Sequence, residues 1–156
     1  MRIGAHVSTS GGIDKAIDRA LEIGAECVQL FPSAPQGWGF KYLDEKNVTE
    51  FKRKAYENDI GPNVFHGIYL VSLGSDDMDL VKKGKDSLIK YLNAAEELGV
   101  EGVIFHLNSH KGRGFDGVFS QVVASIKEVL DNTPENTKLS IPEVTLISHV
   151  GILSKH

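Results

Sequence analysis

The sequence predicts an α/β protein built of repeated strand–helix units, and three observations predict it. Five short apolar runs alternate with four stretches whose apolar residues recur at helical spacing. Glycines stand where two of those stretches stop, and residues able to bind metal recur where the apolar runs end. With 156 residues, 41% hydrophobic and 24% charged, one domain with one core is expected, and disorder is excluded as the main description.

The first run, residues 2–7, reads as a strand. Gly11 and Gly12 follow it, and then Ile13, Ala16, Ile17, Ala20 and Leu21 fall on one helical stripe that stops at Gly24. Residues 26–31 give a second strand through Cys27, Val28, Leu30 and Phe31, followed by a Pro/Gly-rich loop. Asn47, with Glu50 three residues later, reads as the start of the second helix, whose apolar face is Val48, Phe51 and Ala55. The third strand spans residues 63–68. The longest helix spans 79–98 through Leu80, Gly84, Leu88, Leu92 and Ala95, with Gly99 just past its end. A fourth strand spans 102–107, and a fourth helix spans 117–131 on Val118, Val122, Ile126, Val129 and Leu130. A fifth apolar run begins near Lys138.

Strands alternating with helices imply a parallel sheet, because parallel neighbours need crossover connections. An open doubly wound sheet and a barrel both satisfy this. No Gly-x-Gly-x-x-Gly follows a strand and no Gly-x-x-x-x-Gly-Lys-Ser/Thr occurs, so the usual nucleotide fingerprints are missing. His6, His66, His106 and Glu143 fall at or after the ends of the first, third, fourth and fifth strands, the rim on which a barrel assembles its chemistry.

Net charge is −4, with 17 basic against 21 acidic residues, which argues against nucleic-acid binding by bulk positive charge. A nucleic-acid partner needs a local positive site, such as bound metal ions. Cys27 is the only cysteine, no signal-peptide pattern opens the chain, and no apolar run is long enough to span a membrane. A reducing, cytoplasmic location is the expectation.

His66 and His106 occupy equivalent places in successive units, each preceded by Phe, so adjacent strand ends would bring their imidazoles together. Histidine is the commonest ligand of zinc and similar metals, and the Glu143 carboxylate could complete or bridge such a site. A lone strand-end histidine is more often a hydrogen-bonded structural residue; what singles out this pair is its recurrence at one level of the repeat. His6 and His110 read as partners that orient ligands or bind phosphate. His149 and His156 have no supporting pattern.

Cys27 sits in an apolar strand and reads as inert, and no Gly-x-Ser-x-Gly elbow supports a serine nucleophile. Gln36 and Trp38 in the second loop, and Tyr69 in the third, suit stacking on bases or wedging between them. The plainer reading of both aromatics is that they cover the rim. Residues 109–113, Ser-His-Lys-Gly-Arg, offer donors and positive charge for phosphate.

Four ordered motifs go further: Arg2-Ile3-Gly4-Ala5-His6-Val7-Ser8 with Gly11-Gly12; Gln29-Leu30-Phe31 before the Trp38 loop; His66-Gly67-Ile68-Tyr69-Leu70-Val71-Ser72-Leu73-Gly74; and Phe105-His106-Leu107-Asn108-Ser109-His110-Lys111-Gly112. Over about residues 1–138 they resemble the endonuclease IV, or deoxyribonuclease IV, family of apurinic/apyrimidinic endonucleases. The resemblance implies a TIM (β/α)8 barrel of which this is the N-terminal part, incomplete, with about four and a half βα units. Residues 1–156 would form a single domain with a divergent tail from about residue 146 to 156.

It further implies a DNA repair endonuclease, or a fragment of one, that hydrolyses the phosphodiester bond 5′ to abasic sites in double-stranded DNA with zinc-activated water. Up to three zinc ions serve the complete family fold. His66 and His106 match two zinc ligands, Glu143 matches a zinc-bridging glutamate with a catalytic role, and Tyr69 matches a residue that helps penetrate DNA. Gln36 stands where the family often has arginine, and Glu143 lies in Pro-Glu-Val-Thr-Leu where the family reads Glu-Asn-Thr-Ala-Gly. The family's other ligands belong to strands 6–8 of a barrel that needs about 250 residues, so a truncated or frame-shifted reading is expected. Two alternatives stand beside this one: a sugar isomerase or epimerase of the same barrel type, and a catalytically inactive, truncated DNA-binding module. Self-association through open sheet edges is a further expectation.

Overall fold

A computed structural model describes residues 1–107, 112–141 and 151–153, the last by backbone alone. Its strands are β1 (Gly4–His6), β2 (Cys27–Leu30), β3 (Val64–His66), β4 (Gly102–Ile104), β5 (Lys138–Ile141) and β6 (Gly151–Leu153). Its helices are α1 (Lys15–Ile23), α2 (Glu45–Glu57), α3 (Met78–Leu98) and α4 (Gly114–Asp131). The sheet runs β1-β2-β3-β4-β5-β6, with β1 to β5 parallel and β6 antiparallel to β5. An open doubly wound sheet reverses its strand order at a switch point. Here successive parallel strands are always neighbours, so the ambiguity left by the sequence resolves to the barrel type, of which these five strands form an incomplete wall.

Side chains alternate across each strand, and the two faces differ. Ala5, Val28, Leu30, Phe65 and Val103 pack against Ala16, Ile17 and Ala20 of α1, Phe51 of α2, Leu88, Tyr91, Leu92 and Leu98 of α3 and Val129 of α4. The opposite face carries His6, Gln29 and Val64, placed in line by the pairings His6–Gln29 and Gln29–Val64. Buried Asn63 ties the strand starts together: its Oδ1 accepts from the Val28 amide at 2.9 Å, and its Nδ2 donates to the Ile60 carbonyl at 3.1 Å.

Gly24 and Gly99 end α1 and α3 in the left-handed region, at φ 70° and 76°, as their positions predict. Three expectations change. α2 is capped by Asp44, whose carboxylate accepts from the Asn47 amide at 3.1 Å, so Asn47 belongs to the first turn. α4 begins at Gly114, three residues before the expected 117. The tail supplies β6, so β5 is not the C-terminal edge of the sheet; backbone pairing needs no side-chain pattern, which left it invisible in the sequence. Among the described residues no helix is long and apolar enough to cross a membrane.

Candidate active site at the strand ends

The parallel register steps the strand ends along the sheet, His6 lying level with Gln29 and Val64 and His66 level with Ile104, and the side chains at and just after those ends converge. His6 ends β1, His66 ends β3, Phe31 follows β2, and His106 and Tyr69 lie in the segments after β4 and β3. The His66 ring is 5.2 Å from that of His106, 6.2 Å from that of His6 and 5.4 Å from that of Tyr69. Tyr69 stacks near the His106 ring at 6.4 Å and meets the edge of Phe31 at 5.6 Å. Phe31 fills the space between His6 and His66, at 4.6 and 4.9 Å.

His66 is buried, and its Nδ1 lies 2.7 Å from the Gly67 carbonyl oxygen. A carbonyl only accepts, so Nδ1 carries the proton and Nε2 keeps a lone pair. Burial lowers the His66 pKa, the Gly67 hydrogen bond opposes that, and His106 and His6 lower it further, so the ring is neutral near pH 7. Desolvation lowers His6 as well. Gly67 keeps this geometry open: its amide donates to the Ile104 carbonyl at 2.7 Å, and a Cβ there would meet Phe105 at 3.0 Å.

The structure thus brings together His6, His66, His106 and Tyr69. Glu143 and His110, like His149 and His156, lie outside the described residues. Among the described residues no group of three His, Cys, Asp or Glu side chains converges as a complete metal site. The pair His66 and His106 nevertheless fits a metal in kind, since neutral imidazole nitrogen is the donor zinc takes. Gln36 is exposed, and the Tyr69 amide donates to the carbonyl of its neighbour Pro35 at 3.2 Å. Trp38 is partly buried and packs against the hydrophobic core. Tyr69 is 51% exposed at the rim.

The sequence motif Gln29-Leu30-Phe31 carried no role at the site for Gln29 or for Phe31. Only part of the signal was present: Gln29 is the one polar residue between Cys27 and Phe31, but its place on the face of His6 follows from the register of β1 and β2. A cleft of about 780 Å³ opens beside His6, between the segments after β1 and β2, and includes Ser8, Thr9, Ser33 and Lys41.

Residues 17–141 match the xylose isomerase-like TIM barrel family, and the chain belongs to that family. Within it, the chain aligns with the first half of endonuclease IV proteins. A protein of Haloarcula marismortui named probable endonuclease 4 is 37% identical over 131 residues, which is 84% of this chain and 47% of that protein. The crystal structure of endonuclease IV from Thermus thermophilus superposes with a TM-score of 0.77 at 27% identity, covering 90% of this chain and 51% of that one. A 3-keto-D-glucoside 4-epimerase from E. coli superposes at 0.63 with 18% identity over 90% of this chain and 55% of that one, a likeness of fold alone. The chain spans about half the length of the curated relatives it matches.

Proposed function

We propose that this chain carries the N-terminal part of a zinc-dependent DNA repair endonuclease that hydrolyses the phosphodiester bond 5′ to abasic sites in double-stranded DNA. One observation supports it above the others: His66 and His106 stand 5.2 Å apart at the strand ends beside exposed Tyr69, in a chain 37% identical to a probable endonuclease 4. On this reading His66 and His106 would hold zinc through imidazole nitrogen, and Glu143 would add a carboxylate to the site and take part in catalysis. Bound there, zinc would supply Lewis acidity toward a phosphodiester and toward the water that attacks it. It also supplies the local positive charge that a chain of net charge −4 lacks.

The protein's own groups do the rest. His66 keeps its Nε2 lone pair directed by the Gly67 hydrogen bond, Tyr69 enters the duplex at the gap an absent base leaves, and Gln36 contacts the strand beside it. His6 and His110 bind or orient phosphate oxygens. Residues 1–156 form one domain with a divergent tail from about residue 146, in a cytoplasmic protein that self-associates through its sheet edges. The sugar epimerase reading has fold likeness behind it and no more.

The test is zinc content per chain, measured with binding to a duplex holding one abasic site and to the intact duplex. The expected result is bound zinc that His66→Ala and His106→Ala remove, and tighter binding to the abasic duplex that Tyr69→Ala weakens several-fold. A chain free of zinc after refolding with the metal, and indifferent to the lesion, overturns the proposal.

A further inference from the structure

His6 and His66 are neighbours, 6.2 Å apart, held in opposite hydrogen-bonding states. His66 gives its Nδ1 proton to the Gly67 carbonyl and keeps its lone pair on Nε2. At His6 the partner is different in kind: Nδ1 lies 2.9 Å from the side-chain amide nitrogen of Gln29. An amide nitrogen only donates, so here Nδ1 accepts and the proton sits on Nε2. Sheet register makes the contact, because His6 and Gln29 are directly paired positions of β1 and β2 and their side chains leave the same face.

Resting on the nucleic-acid reading above, we infer that Gln29 is a positioning residue: it fixes the His6 proton on Nε2 and so makes His6 a hydrogen-bond donor to a phosphate oxygen, beside a His66 that offers a lone pair. The cleft that His6 lines supports the anionic ligand. Lys41 brings an ammonium, Ser8, Thr9 and Ser33 bring hydroxyls, and no carboxylate side chain lines it among the described residues, in a protein whose overall charge is negative. About 780 Å³ admits a phosphate with its adjoining sugar. A glutamate at position 29 would accept where the amide donates, and would move the His6 proton to Nδ1.

Nitrogen NMR of the whole 156-residue chain at about pH 9, above ordinary histidine titration, reads these states directly. Expected are an Nε2–H tautomer at His6, an Nδ1–H tautomer at His66, and an N–N coupling across the hydrogen bond from Gln29 Nε2 to His6 Nδ1. Gln29→Glu is expected to switch His6 to Nδ1–H while the unchanged His66 signal certifies the fold. Titration with inorganic phosphate is expected to move the His6 Nε2–H resonance to saturation in the wild type. An Nδ1–H tautomer at wild-type His6, a tautomer insensitive to Gln29→Glu, or a His6 resonance indifferent to phosphate each overturns the inference. None of these readouts involves strand scission or zinc, so the inference and the endonuclease reading fail separately.

Discussion

Tyr91 of α3 is 2% exposed, and its ring packs 5.3 Å from Phe40 under the segment that carries Gln36 and Trp38. Among the described residues its hydroxyl meets no partner at hydrogen-bond geometry, and burial pushes its pKa up to about 12 against a smaller opposing pull from nearby Ser33. In the unfolded chain the phenol ionises near 10, so between about pH 10 and 12 the unfolded state binds fewer protons than the folded one and stability falls as pH rises. Tyr91→Phe should be close to neutral at pH 7 and should remove up to about 2–3 kcal/mol of that alkaline loss, seen as a smaller drop in the denaturant midpoint between pH 9 and pH 11.5. Equal alkaline losses in the two proteins would exclude the phenol as their source. At the rim, His106→Ala should reduce bound zinc more than His149→Ala, because His106 joins the ring cluster with His66 and Tyr69; equal losses by metal analysis would end that assignment. His66 and His106 were legible because they recur at one level of a repeat. Gln29 was not, because its role lies in a hydrogen bond across strands, and a single sequence does not state which positions pair.

Helix ends were legible where backbone conformation restricts the residue, and helix starts were less so. Gly24 and Gly99 adopt left-handed φ, which side-chain-bearing residues disfavour, so glycine marks the stop. Around the start of α2, Asp44 and Asn47 are both good capping types, and only the extended backbone of Asp44, at φ −81° and ψ 127°, settles which one caps. Asp44→Ala should therefore cost about 1 kcal/mol of stability, and Asn47→Ala well under half of that, in paired chemical denaturation. The reverse order would return the cap to Asn47. α4 offers no such mark: Arg113 precedes it without a side-chain capping bond, which is why its start is displaced from the expected position.

At the scale of the molecule the sheet keeps two edges among the described residues. Among the described residues β1 pairs only with β2, and β6 only with β5. Both edges present unpaired backbone groups, and Ile3 beside the β1 edge is 68% exposed. α4 adds a second apolar stripe, distinct from the one that Val118, Val122 and Ile126 form. Phe115, Phe119 and Val123 recur every four residues, all exposed, with the two phenyl rings 5.3 Å apart. Exposed apolar area of this kind beside open strands drives self-association. The purified 156-residue chain should accordingly elute as oligomers or aggregate, and Phe115→Lys with Phe119→Lys should shift it toward monomer without lowering helix content. Its cleavage of abasic-site DNA should fall orders of magnitude below an ordinary enzyme rate of about 1–10³ per second. The chain spans about half the length of the curated relatives it matches, whereas phosphodiester hydrolysis by metal-activated water needs every group that positions the ions and the reacting oxygens to be held accurately. A monodisperse monomer by light scattering that cuts an abasic-site duplex at such a rate would overturn this expectation, and would mean that the strand ends present in these residues suffice for the chemistry.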